Sequence, residues 1–132
     1  GVFDSGGDGI VGIIQVAIFD RSTQSIVVGL GPQSFTGSGD LLALGHRMRD
    51  VTPVLLPLGQ YSIVAQGYSS LEQNGNFGSQ GLAPDIIDGG GLITFVGVAR
   101  YSSQGSGLVW PPITDGGPPN RYHAGTFRFT AV

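Results

Sequence analysis

The sequence predicts an all-β domain, a single β-sandwich or jelly roll of about seven to eight strands filling residues 1–132, with two long Gly/Pro-rich loops. Three observations predict it. Apolar and polar residues alternate with a period of two along several short runs, and no amphipathic helical period is sustained anywhere. Gly and Pro, numbering 24 and 8, cluster largely between those runs and at their ends. A chain of 132 residues is sized for one hydrophobic core.

Each element follows from local pattern. Over residues 12–20, Ile14, Val16 and Ile18 share one face, and Asp20-Arg21-Ser22 then turns the chain into residues 24–29, which predicts a hairpin. A third run covers 32–36. Gly37-Ser38-Gly39-Asp40 separates it from residues 41–49, whose His46, Arg47 and Arg49 beside apolar positions predict a strand with one wet face. Residues 54–56, the turn Pro57-Leu58-Gly59 and residues 60–68 make the next pair. Residues 69–91 are dense in Gly and Asn and predict a long loop. Residues 92–99 again alternate as a strand, and residues 102–120 form a second irregular stretch carrying Trp110-Pro111-Pro112, since adjacent prolines have no place in a central strand. Residues 125–132, where Phe127 and Phe129 alternate with Arg128 and Thr130, predict a closing strand.

Composition excludes several classes of function. Charged residues are 11% of the chain against roughly 25% in average soluble domains, so much of the surface is neutral. With six arginines, no lysine and a net charge of −3 there is no basic field for nucleic acid or an anionic bilayer. The absence of cysteine removes disulfides, thiolate nucleophiles and Cys-type metal sites. Without lysine there is no Schiff-base chemistry and no lysine-derived isopeptide cross-link, so assembly through such bonds is excluded. No run reaches the ~18 apolar residues of a membrane span, the best one being broken by Gly12 and Gln15. The start at Gly1-Val2-Phe3, with neither Met nor an apolar leader, is expected of a processed or trimmed chain.

Few residues suggest chemistry. Asp4 and Asp8, four apart around a glycine turn, resemble half of a calcium loop, a weak match that a second acidic loop at Asp85, Asp88 or Asp115 would have to complete. The opposing reading is a turn rich in left-handed glycines, with no cofactor. Asp88 and Asp115 each precede Gly-Gly, which is turn chemistry before it is a glycosidase pair. His46 and His123 are 77 positions apart, and neither a nucleophile elbow nor a His-x-x-x-His pair is present, so an enzyme is not expected. Tyr101, Trp110 and Tyr122 lie in or beside the late irregular stretch, where exposed rings would stack on a sugar; alternatively Trp110 plugs the end of the core.

The order of segments resembles a family. Gly1-Val2-Phe3-Asp4, then Gln15-Val16-Ala17-Ile18-Phe19-Asp20, then Leu56-Pro57-Leu58-Gly59-Gln60-Tyr61, then Asn74-Gly75-Asn76 and the later Gly89-Gly90-Gly91-Leu92-Ile93-Thr94-Phe95 are similar to secreted bacterial β-sandwich modules of PEP-CTERM-sorted surface and matrix proteins. The resemblance implies an extracellular or cell-surface location and no catalytic set. It departs from that pattern in lacking the C-terminal sorting helix and the one or two strands that precede Gly1 in such modules. A sheet edge left open beside Val2 would then be filled by a neighbouring copy. The expected function is therefore a non-enzymatic structural subunit that self-assembles, as a filament or surface matrix, through the terminal segments Gly1, Val2, Phe3 and Thr126, Phe127, Arg128, Phe129, Val132. A carbohydrate-binding module using Tyr101, Trp110 or Tyr122 is the alternative.

Overall fold

The computed structural model describes residues 1–76, 86–103 and 105–132. The chain is all-β, with no helix among these residues and hence none long and apolar enough to cross a membrane. Among the described residues the strands are β1 (Val2–Phe3), β2 (Ile10–Asp20), β3 (Ser25–Ile26), β4 (Gln33–Gly37), β5 (Leu41–Ala43), β6 (His46–Met48), β7 (Tyr61–Gln66), β8 (Arg100–Tyr101) and β9 (Ile113–Thr114). All pairings between them are antiparallel. β2 is the spine: it pairs with β3 and β4 and, through Gln15–Asp20, with β7. A second sheet has the order β1-β6-β5, and β8 with β9 makes a third.

β2 is long because its β-branched alternation meets a partner along most of its length. Val2, Ile10, Ile14, Val16 and Phe35 form the buried cluster, joined by Ile63, Ala65 and Tyr68. The opposite face is buried as well at Ala17 and Phe19. Gly31 packs directly on Ala17, and the Trp110 ring lies 6.2 Å from that of Phe19. Between Ile10 and Ile14 the register with β4 slips, and Gly12, at φ +83°, is the residue that takes up the irregularity. Arg49 closes the far end of the cluster. Its guanidinium lies 4.7 Å from the centre of the Phe35 ring while bonding Asp40 and the Ser34 carbonyl, and it holds the Asp40 carboxyl below the ordinary carboxylate range.

Several expected strands are shorter or missing. Residues 41–49 are not one strand but a hairpin, turned at Leu44 and Gly45 with φ +49° and +76°. Residues 54–56 join no ladder, since Pro53 and Pro57 flank them and lack donors. Of residues 24–29 only β3 pairs. Residues 92–99 are not a strand: Gly91 and Gly97 have φ of +92° and +75°, and the Tyr122 hydroxyl takes the Gly97 N–H that a neighbouring strand would use. Residues 125–132 are likewise not a strand: the antiparallel register sets Gly125 on Val2 and Thr126 on Gly1, the chain leaves β1 there, and Gly125 to Val2 is the only bridge these residues make among the described residues.

Gly67, just after β7, has φ +105° and lies directly on the Ile13 carbonyl, where a Cβ would overlap the oxygen. Gly67→Ala is expected to cost at least about 2 kcal/mol, because both backbone strain and a clash with main chain resist relaxation. Urea unfolding of the variant against the parent checks this.

Candidate functional site

Three features converge at one end of the β1-β6-β5 sheet: a buried ionic knot, a clasp on residues 123–126, and an apolar groove. The knot begins in the turn after β1. Asp4 is 2% exposed, and its carboxylate accepts the Gly9 N–H and the Arg47 Nε–H, the latter at 2.6 Å. Arg47, on β6 and 6% exposed, also donates to the carbonyls of Gly7, Ser38 and Asp40. Glu72, the chain's only glutamate, is fully buried and accepts the Ser5 N–H through one oxygen (2.7 Å) and the Val11 N–H through the other (2.8 Å). The left-handed glycines Gly6, Gly7 and Gly9 let this turn curl its amides toward the carboxylates.

A guanidinium therefore stands where the calcium reading placed a cation on Asp4. Asp8 is exposed, Asp85 lies outside the described residues, and Asp88 and Asp115 each cap their own Gly-Gly turn through a backbone N–H. Asp115 also pairs with Arg121 at 2.6 Å. Among the described residues no three His, Cys, Asp or Glu side chains gather as a metal site.

The clasp ties residues 123–126 to β1 and β6. The Tyr68 hydroxyl accepts the Phe3 N–H and donates to the Ala124 carbonyl; burial pushes its phenol well above the ordinary tyrosine range, so the donor proton is kept. The His123 N–H donates to Asn76 Oδ1 at 2.9 Å. His46 Nε2 lies 2.7 Å from the His123 carbonyl oxygen and Nδ1 3.0 Å from that of Leu44. The two imidazoles stack at 6.1 Å with planes 7° apart, and the Phe3 ring meets both edge-on at 5.5 Å. The edge expected to be open beside Val2 is thus closed by the chain itself: β6 lies on one side and Gly125 on the other, with Val2 fully buried. Gly1 also bonds Thr126 through main-chain groups.

Beyond the clasp, a groove of about 760 Å³ runs between residues 86–95 and residues 125–131, with the β5–β6 hairpin tip at its rim. That volume is ordinary for a binding site. Its walls are mainly apolar, including Leu44, Met48, Ile63, Leu92 and Phe95, and Arg128 is the formally charged member. Of its polar members, His46 faces two carbonyls and the Tyr122 hydroxyl accepts from Gly97. A largely apolar surface of this kind suits an apolar ligand or partner.

The three aromatic candidates are not brought together. Tyr101, on β8, is 52% exposed; Trp110 is half-buried between Phe19 and the Arg100 guanidinium, 5.4 Å from its ring; Tyr122 packs on Phe95 at 5.2 Å beside the groove. Of the expected assembly residues, Val2 and Phe3 are core, Thr126 belongs to the clasp, and Phe127, Arg128 and Val132 are exposed, with Phe129 half-buried against Phe127. Sequence reasoning passed over Glu72, the Asp4–Arg47 pair and the His46–His123 stack. Compared with protein-family models, curated proteins and solved structures, the chain matches none of them.

Two variants separate the roles within the knot. Arg47→Ala leaves Asp4 buried and uncompensated and is expected to cost about 3–5 kcal/mol. Glu72→Gln preserves shape but turns one acceptor into a donor facing another donor, for a loss of about 1–3 kcal/mol. Denaturant midpoints of both, with circular dichroism to establish that they fold, check the two figures.

Proposed function

We propose that this chain is a non-enzymatic structural subunit that assembles with copies of itself by pairing of strand edges, at the cell surface or in an extracellular matrix. One observation carries the reading. Among the described residues, twenty large hydrophobic side chains are exposed while nine hydrophobic residues form the buried core. Leu44, Leu55, Leu58 and Leu71 are each more than 70% exposed. Scattered exposed leucines are normal on any protein, but more large hydrophobic side chains left outside than fully buried, on a chain with only 11% charged residues, leave part of the hydrophobic gain unrealised in the single copy. Burying a side chain of this kind contributes about 1.5–3 kcal/mol, so a few of them suffice to hold two copies together.

The location rests on the resemblance to sorted surface modules. A second reading, glycan binding, is favoured by the exposed ring of Tyr101; the packing of Trp110 against Phe19 and under Arg100 takes away the larger platform that it would use.

Light scattering across a micromolar to millimolar concentration series tests assembly. The expected result is a mass that rises with concentration, and filaments or sheets by electron microscopy. A monodisperse monomer throughout, with retention on a polysaccharide column that Tyr101→Ala abolishes, would replace this reading with the glycan one.

A further inference from the structure

From the groove and the state of its walls we infer that residues 128–132 of one copy pair with the same residues of a second copy, antiparallel and centred on Thr130, each copy covering the other's groove. This rests on the self-association proposed above and names the surface that does it.

The first ground is backbone. Residues 127–132 make no hydrogen bond through main-chain N–H or C=O among the described residues, although Thr126 immediately before them is bonded to Gly1. Across the groove, Ile86, Ile87 and Phe95 are in the same condition. A small apolar ligand would fill the space and leave those rows of donors and acceptors unmet, whereas an extended peptide meets them along its whole length. The second ground is self-complementarity. Centring on Thr130 sets Phe129 opposite Ala131, large against small, on the groove face, where Phe127 and Phe129 already touch at 5.9 Å. It sets Thr130 opposite Thr130, a favourable cross-strand pair, and Arg128 opposite Val132, which keeps the two cations from facing one another.

The third ground is strain at the rim. Leu44 is 79% exposed and held at φ +49°, in a two-residue turn whose Gly partner fits but whose first position favours Asn or Gly. A leucine there is poor for the hairpin and poor for solvent. Beside an apolar groove it is an anchor that a second copy covers.

Because the chain has no cysteine, a single introduced one reports only contacts between copies. Directly opposed residues of an antiparallel pair lie within disulfide reach. Thr130→Cys is expected to form a disulfide-linked dimer under mild oxidation, while Ser22→Cys, on the exposed turn after β2, stays monomeric under the same conditions. Leu44→Asn is expected to leave the thermal midpoint of the isolated copy unchanged or raise it, and to weaken association by about tenfold or more. Ala131→Arg, at an exposed position, is expected to weaken it similarly. If the parent associates while Leu44→Asn and Ala131→Arg leave its affinity intact and both cysteines cross-link equally, the groove pairing is overturned and self-association stands. If the parent is monomeric throughout and Thr130→Cys gives no dimer, both fall.

Discussion

Arg47 is the residue on which the packing around β1, β5 and β6 depends. Its guanidinium meets a carboxylate and three carbonyls, so that one planar fork ties the turn after β1, the stretch between β4 and β5, and β6 itself. Taking such a charge out of water is costly, and only a full set of partners offsets the cost. The set is full because the glycines of the Asp4–Gly9 turn permit the curl that delivers both the Asp4 carboxylate and the Gly7 carbonyl. Glu72 completes the arrangement from another direction, clipping the start of this turn to Val11 at the beginning of the central strand. The β1-β6-β5 sheet and the sheet built on β2 are thereby fixed to each other by polar contacts as well as by the Val2, Ile14 and Phe35 cluster. A knot of this kind specifies geometry more than it adds stability, since its charges are largely repaying their own desolvation.

The sequence was legible where a strand carried its own evidence and had its partner nearby. β2, β4 and β7 follow from alternation and from the turns that bound them, and they formed close to the expected bounds. Alternation states which faces a segment would present, and nothing about whether another edge is available to pair with it. Residues 92–99 and 125–132 read as strands for that reason and are not: one has its Gly97 donor taken by Tyr122, the other bridges Val2 through Gly125 and then outruns a two-residue β1. The sites show a similar divide. Asp4 and Asp8 in a glycine turn offered only a weak cation reading beside that of a plain turn, and the partner Asp4 meets is an arginine 43 positions away, which no local pattern encodes. Glu72 sits among Ser, Leu, Gln and Asn and gives no sign of burial; a lone glutamate in a chain otherwise acidic through aspartate was the available hint. His46 and His123, dismissed for their separation, are stacked because the clasp folds the late segment back across β1.

The distribution of charge bears on the same asymmetry. Asp4 with Arg47, Asp40 with Arg49 and Asp115 with Arg121 each spend a carboxylate on an arginine of the same chain. Those pairs steady loops and turns, but they also remove charge from the surface of a chain that has little to begin with. The groove lining is left with Arg128 as its formally charged member, and residues 127–132 beside it make no main-chain hydrogen bond among the described residues. Charge on edge strands, above all lysine, is the usual device that keeps exposed edges from pairing, and this chain has no lysine at all. An ionic knot holds the core, and beside it residues 127–132 carry a single charged side chain and make no main-chain hydrogen bond among the described residues, the two features on which the proposed association rests.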